Sequence, residues 1–392
     1  TISFAAAMGA LVNGLTQPFL GYFFDRLEGR RVILYSLIAL GLVTVLLSLT
    51  FHILFLVFMF GFVSSLALSG ASLNNTGALL ARWFRRRRAS VVGLNYAGTS
   101  LGSLLLVPFA MYLLQATHWR VTWVALGLIV LVLAVPLAFF FLRDNPSDLG
   151  LQPDGDAEPE LPEEESANVA SAPPQAGPLE ADQWSETFRS LPIWQITGSY
   201  FVCGFTTFIL SIHFVPYAID IGVSPTTAAT IFGFMMGVNI VGSIGSGVLS
   251  DWMGSRKNWL ALVYFLRGTA YVLLLVTQFV APGSLGLWIF AAVAGVSWLA
   301  TNPLTVALTA DVYGVRTLGT VSGVSFLFHQ IGGFTSVLMA GLLYDLTGSY
   351  TLPFAIAGAL LFPAALSAFT IKERKYSMRY QLPSATAPVS GN

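Results

Sequence analysis

The sequence predicts an all-α integral membrane protein, and three observations predict it. Hydrophobic residues make up 55% of the 392-residue chain and charged residues only 10%, far below the roughly 25% charged share usual for soluble domains. Apolar runs of about 20 residues, the length that spans a bilayer core of about 30 Å, follow one another with short polar breaks. The runs are rich in Gly and Phe and lack the alternating faces of a strand-built barrel.

Eleven spans are expected, at residues 3–23, 32–50, 53–80, 89–116, 120–142, 192–219, 225–250, 258–280, 285–310, 317–343 and 350–371. All but two of the 19 Lys and Arg fall in alternate connections or at the C-terminus. Arg120 lies on the opposite side and Arg267 inside a span. Basic residues near span ends stay in the cytoplasm, so the expected placement is multi-pass in a cell membrane, a bacterial inner membrane, with a cytoplasmic C-terminus. An odd number of spans puts Thr1 outside, and the expectation is that a first helix is missing.

Residues 143–190 hold twelve of the 19 acidic residues, among them Asp154, Asp156, Glu158, Glu160 and Glu163 to Glu165, interspersed with Pro and Ala. Such a stretch buries too little apolar surface to order itself. It reads as a disordered cytoplasmic linker between an N-terminal bundle at 1–142 and a C-terminal bundle at 191–371, with a tail at 372–392.

The two halves repeat at a fixed offset. Gly21-Tyr-Phe-Phe-Asp25-Arg26-Leu-Glu-Gly29-Arg30-Arg31 follows the first span, and Gly247-Val-Leu-Ser-Asp251-Trp-Met-Gly254-Ser-Arg256-Lys257 follows the seventh. Asp25 and Asp251 are 226 residues apart, as are Asn13 and Asn239. A second echo, shifted by 230, matches Gly93 with Gly323 and Gly102 with Gly332. Repeated halves suit a carrier that rocks one bundle against the other around a central site.

The doubled Gly-x-x-x-Asp loop resembles the hallmark loop of the major facilitator superfamily. The first copy carries one extra residue at Leu27-Glu28, and the second has Trp252 where Arg is usual. An Asp ending a helix can hold neighbouring helix ends through charge-assisted hydrogen bonds that must break for the pathway to open. Gly21, Asp25, Arg26, Gly29, Arg30, Gly247, Asp251, Gly254 and Arg256 are therefore the expected gating residues. Serving as topology signals alone would explain the arginines, but not the Asp or the Gly spacing. Trp83-Phe84-Arg85-Arg86-Arg87-Arg88-Ala89, leading to Gly93, Ala97 and Gly98, looks like the fifth-helix start of monocarboxylate carriers. The span at 225–250 holds no charge, unlike the Asp and Arg that animal monocarboxylate carriers place in the eighth helix. The resemblance implies two six-helix bundles working by alternating access, here with about eleven spans.

An ionisable side chain inside a span costs several kcal/mol and marks a functional candidate. Arg267 lies about 14 Å into its span at 1.5 Å per residue. It either attracts an anionic substrate or pairs structurally with helix-end carbonyls and hydroxyls. His329, beside Gln330 and before Gly332-Gly333, is the candidate for proton coupling because imidazole exchanges a proton near neutral pH. A neutral, satisfied core histidine is the alternative. Asn95, Tyr96, Tyr200, Asn239 and Asn302 complete the expected substrate-binding set, against the competing role of joining helices. Asn302-Pro303 also suggests a broken helix with freed backbone groups facing a cavity.

No nucleotide-binding loop, metal-ligand cluster or nucleophile triad is visible in the sequence. The expected protein is therefore not an enzyme, takes no cofactor and no metal, binds no nucleic acid, and sits in the lipid bilayer as a monomer. The resemblance implies a secondary transporter of a small organic anion, with a proton-coupled monocarboxylate symporter as the first reading. Efflux of hydrophobic compounds by antiport is the second, and a non-transporting membrane sensor on the same scaffold is the reading from another class.

Overall fold

A computed structural model describes residues 2–155, 177–280 and 284–377, and every regular element among them is helical. The acid-rich centre of the expected linker and most of the expected tail lie outside the described residues. The long helices are α1 (Ile2–Arg26), α2 (Gly29–Leu49), α3 (Ile53–Trp83), α4 (Arg88–Ala116) and α5 (Trp119–Phe141). After the linker come α6 (Leu191–Asp220), α7 (Pro225–Met253), α8 (Arg256–Val280), α9 (Ser284–Tyr313), α10 (Leu318–Thr347) and α11 (Thr351–Thr370). Among the described residues, nine of these passages are long and apolar enough to cross a membrane. Their apolar side chains face outward as well as inward, as lipid-facing helices require.

The expected spans coincide with these helices apart from their ends. The instructive differences are at the linker side, where α1 runs on to Arg26 and α9 to Tyr313. Asp25 and Asp311 thus stand on the last turns of helices, where partners from neighbouring helices meet them.

The two halves meet mainly along α1 with α10 and α4 with α7, and small residues permit the close approach. A Cβ on Gly21 would come 3.0 Å from the Thr320 nitrogen, and one on Gly247 would come 2.8 Å from the Ser90 Cα. Higher up, a Cβ on Gly93 would come 2.6 Å from the Ser243 carbonyl oxygen, and one on Gly323 the same 2.6 Å from that of Gln17. The sequence offsets of 226 and 230 thus correspond to a two-fold-like pair of helix crossings. Gly254, at φ 74°, ends α7 in the left-handed conformation that glycine adopts without a Cβ penalty.

Each half also ties its own helices. Asp144, after α5, accepts a hydrogen bond from the Arg30 amide at the start of α2 (2.9 Å). Its counterpart Glu373, after α11, accepts from the Arg256 amide at the start of α8 (2.9 Å). Both carboxylates satisfy helix N–H groups that have no intrahelical partner. Burial pushes the Asp144 carboxyl above the usual carboxylate range. The described ends of the linker are held too. Asp154 accepts from the amides of Arg85 (3.0 Å) and Arg86 (2.7 Å), and the Leu179 amide donates to the Val312 carbonyl (3.1 Å).

Valine at position 21 or 247 forces two backbones apart, an overpacking cost of about 1–3 kcal/mol. Gly21→Val and Gly247→Val are each expected to lower the unfolding midpoint of the detergent-solubilised protein. Gly245→Val, whose Cβ meets open space, serves as the control and leaves the midpoint in place.

Candidate functional site

The linker side of the molecule is closed by carboxylates that cross from one half to the other. Neither α4 nor α10 has a side-chain cap from its own sequence, since the residues before them are Arg87 and Thr317 and neither makes a capping bond. The caps come from the opposite half. Asp25 at the end of α1 accepts from the amides of Gly319 (2.9 Å) and Thr320 (2.7 Å) and from the Thr320 hydroxyl (2.6 Å). Asp251 at the end of α7 accepts from the amides of Ala89 (3.4 Å) and Ser90 (2.7 Å) and from the Ser90 hydroxyl (2.7 Å). An anion at a helix N-terminus is favoured by the helix dipole as well as by the unpaired N–H groups.

A buried ion cluster lies between the two caps. Arg88 of α4 donates from Nη1 to Asp311 Oδ1 of α9 (2.7 Å), and its Nε and Nη2 donate to the Ala81 carbonyl. Arg256 of α8 pairs with the other oxygen of Asp311, with Asp251 (3.0 Å), and with the carbonyl of Arg85 (3.3 Å). On the first-half side, Arg82 approaches Asp25 at 3.8 Å. The side chains of Arg88 and Arg256 are fully buried and that of Asp311 nearly so. A buried charge persists only when paired in this way.

Of the expected gating residues, Asp25, Asp251 and Arg256 make these contacts across the halves, and Gly21 and Gly247 provide the approach. Gly29, Arg30 and Gly254 shape the adjoining turns. Arg26 packs its guanidinium over the Tyr22 ring (4.5 Å). Sequence reasoning missed the receivers of the carboxylates, namely Ala89, Ser90, Gly319 and Thr320, and also the pair Arg88 and Asp311. Part of the signal was present: Arg87 leaves α4 without a capping residue, and Ser90 and Thr320 are spaced by the same 230 residues as Gly93 and Gly323. Asp311 escaped notice because it falls one residue beyond the span at 285–310.

At mid-depth, the expected substrate-binding residues form two groups and a set of structural ties. In the first half, Tyr96 of α4 donates from its hydroxyl to Asn74 of α3 (3.2 Å), and Asn95 donates to the Thr76 hydroxyl (3.0 Å). In the second half, the His329 ring of α10 stacks on Phe326 (5.3 Å between centroids) and lies 4.6 Å from the Tyr200 ring of α6. His329 Nδ1 is 3.3 Å from Gln330 Oε1, while Nε2 has no hydrogen-bond partner. Tyr200 lies against Tyr96 of the opposite half, so the two groups meet across the bundle interface. Asn302 accepts a weak bond from Cys203 of α6 (3.6 Å).

Asn239 and Arg267 occupy a different setting. The helix α9 is interrupted at residues 298–300, as α3 is at 71–72. Arg267 donates from Nη2 to the carbonyls of Ser297 and Trp298 and to the Thr301 hydroxyl (3.2 Å), and from Nη1 to Cys203 (3.5 Å). Asn239 accepts from the Leu299 amide (2.9 Å) and donates to Ser100 of α4 (3.0 Å). Asn13, its repeat partner, donates to Ser69 beside the other interruption (2.9 Å). The freed carbonyls expected near Asn302 exist, but a buried guanidinium takes them. Arg267 has no solvent exposure and all its polar contacts lie within the second half.

A two-bundle helical membrane protein, closed on one side by paired cross-capping carboxylates and carrying polar groups at mid-depth, has the build of a transporter. The chain belongs to the Major Facilitator Superfamily, whose family model matches residues 1–337. Monocarboxylate transporter 12 of Rattus norvegicus is 30% identical over 327 residues, 78% of this chain and 64% of that protein. The chain therefore spans a little under two thirds of that relative's length. The probable sulfoacetate transporter SauU of Cupriavidus necator is 24% identical over 356 residues, 90% of this chain and 80% of that protein. Among solved structures, the E. coli fucose:proton symporter FucP superposes with a TM-score of 0.64 at 16% identity, covering 93% of this chain and 90% of FucP, which supports the fold.

Asp311→Asn leaves two buried guanidiniums facing a neutral amide. Breaking a buried pair by removing one partner costs about 3–5 kcal/mol, so the unfolding midpoint of the purified variant is expected to fall by more than that of Asp251→Asn, whose partners include backbone amides. Equal midpoints for the wild type and Asp311→Asn would show that the cluster contributes nothing to stability.

Proposed function

We propose that this protein is a secondary active transporter that works by alternating access and carries a small organic anion, such as a monocarboxylate, together with a proton. The observation that carries the reading is the pair of crossed caps, Asp25 on α10 and Asp251 on α4. They join the halves through hydrogen bonds that a rocking motion breaks and remakes, without disturbing the packing inside either half. The Arg88–Asp311–Arg256 cluster acts with them as the cytoplasmic gate. The basic residues concentrated on this side support a cytoplasmic linker and C-terminus, in a bacterial inner membrane.

The anionic class is supported by the names of two relatives, a monocarboxylate transporter and a probable sulfoacetate transporter. Substrate meets the polar groups at the bundle interface, Asn95, Tyr96, Tyr200, Asn302 and His329. Arg267 and Asn239 act behind them by holding the interruption of α9 in shape. In this arrangement His329, with Nε2 unpartnered, supplies both the coupled proton and, as imidazolium, the positive charge that an anion requires.

Uptake of radiolabelled lactate, pyruvate and sulfoacetate into proteoliposomes tests this, with and without an inward proton gradient. The wild type is expected to show gradient-stimulated uptake of at least one of these anions. His329→Gln is expected to lose the stimulation. Arg267→Gln is expected to lower the unfolding midpoint and the maximal rate while keeping the KM. A wild type that moves no organic anion would overturn the substrate class, and a KM raised tenfold or more in Arg267→Gln would return Arg267 to the role of anchor.

A further inference from the structure

A hollow on the linker side lies outside the interface between the halves, on the lipid-facing flank of the first bundle. The helices α2 and α5 pack closely at mid-depth, where a Cβ on Gly127 would meet the Gly41 carbonyl oxygen at 2.8 Å. Between there and the linker side α5 passes through a π-helical turn at Val130–Ala134 and then Pro136, features that bend helices and open the space beside them. The result is a groove of about 560 Å³. Its α2 wall is Leu34, Tyr35 and Ile38, one face of the helix. Phe139 and Phe140 stand opposite on α5, and both rings are more than half exposed.

The mouth of the groove is charged. Arg30 and Arg31 line it, and a second, polar hollow of about 350 Å³ shares Glu28 and Arg30 with it and adds Arg143. An apolar trough thus continues into a polar cup through one arginine. Three carboxylates, Glu28, Asp144 and Asp148, line the same end, and a phosphate reaches Arg31 by replacing its exposed pair with Glu28, a contact worth little at a surface. Glu28 pairs with Arg31 (2.8 Å), Asp144 accepts from the Arg30 amide, and Asp148 accepts from the Asn145 amide (3.0 Å). Arg30 lies over the Phe139 ring (5.3 Å) and donates to the Phe139 carbonyl (2.5 Å), yet its Nε has no hydrogen-bond partner.

We propose that this groove is a binding site for an anionic phospholipid. The phosphate sits against Arg30 and Arg31 with Arg143 behind, and an acyl chain lies along Leu34 and Ile38 against Phe139. Two features favour a lipid: the groove is lined by the exposed apolar side chains of two spans of one half, away from the interface between the halves, and its polar and apolar parts are joined in the order that a lipid presents them. Basic clusters at the end of a transmembrane helix attract anionic headgroups by about 1 kcal/mol per arginine.

Native mass spectrometry of the full chain, released from nanodiscs of equal phosphatidylglycerol and phosphatidylethanolamine, tests the site. The wild type is expected to retain phosphatidylglycerol preferentially. Arg31→Gln should reduce that retention about fivefold, as about 1 kcal/mol implies, and Arg30→Gln/Arg31→Gln should reduce it further. The Arg31 side chain is 63% exposed, so the single variant keeps the fold and remains informative if the double variant does not. Tyr35→Ala, on an equally exposed wall position, should also weaken retention, whereas Arg120→Gln on the opposite side should not. Equal retention of the two lipids by the wild type, or retention unchanged in both Arg31→Gln and Tyr35→Ala, would overturn the proposal.

Discussion

The architecture depends on one constraint: two long helices begin without caps of their own and take them from the other half of the molecule. The first N–H groups of a helix must find acceptors when they are shielded from water, and inside a membrane protein that demand is severe. Asp25 and Asp251 meet it across the bundle interface. The same bonds that complete α10 and α4 therefore also fasten the halves together. Glycine at 21 and 247 is required because only a hydrogen in place of a side chain lets the carboxylate-bearing helix come within reach of the helix that it caps.

Such a fastening suits the alternating access proposed above. Each cap is a small group of charge-assisted hydrogen bonds at the end of a helix, so it can be exchanged for water when the linker side parts. In the proposed motion the apolar packing within each bundle, which is far larger, stays intact. Asp144 and Glu373 show the contrasting arrangement, in which a carboxylate caps a helix of its own half and so stiffens that half. Similar chemistry serves to rigidify within a bundle and to fasten between bundles, and only the location of the acceptor differs.

The mid-depth polar residues divide along the same lines. Asn13 in one half and Asn239 and Arg267 in the other are spent on interrupted helices, where carbonyl or amide groups without helical partners would otherwise be stranded in an apolar setting. Among the described residues, Arg267 is the only guanidinium at that depth. Its full burial and its bonds to the carbonyls of Ser297 and Trp298 account for a charge that read, from sequence, equally well as an anchor for an anion. His329 is different, because its ring is held by Phe326 and Tyr200 while one nitrogen is left unpartnered.

Much of this was legible in the sequence by itself. Span length and apolar composition determine that the chain is helical and crosses a membrane, because the backbone there is satisfied only within a helix or a closed barrel, and the runs lack a barrel's alternating faces. The repeat of Gly21 and Asp25 in Gly247 and Asp251 identified the paired crossings, since glycine spacing and a helix-ending carboxylate are local properties of the chain. What the tertiary structure alone decided is the identity of the partners. Asp311 meets Arg88 across 223 residues of sequence, and Asp25 meets Thr320 across 295. Whether a buried arginine faces a cavity or a broken helix depends on which helices pack against it. Residue type sets what a side chain can bond to, and the packing of distant helices sets what it does bond to.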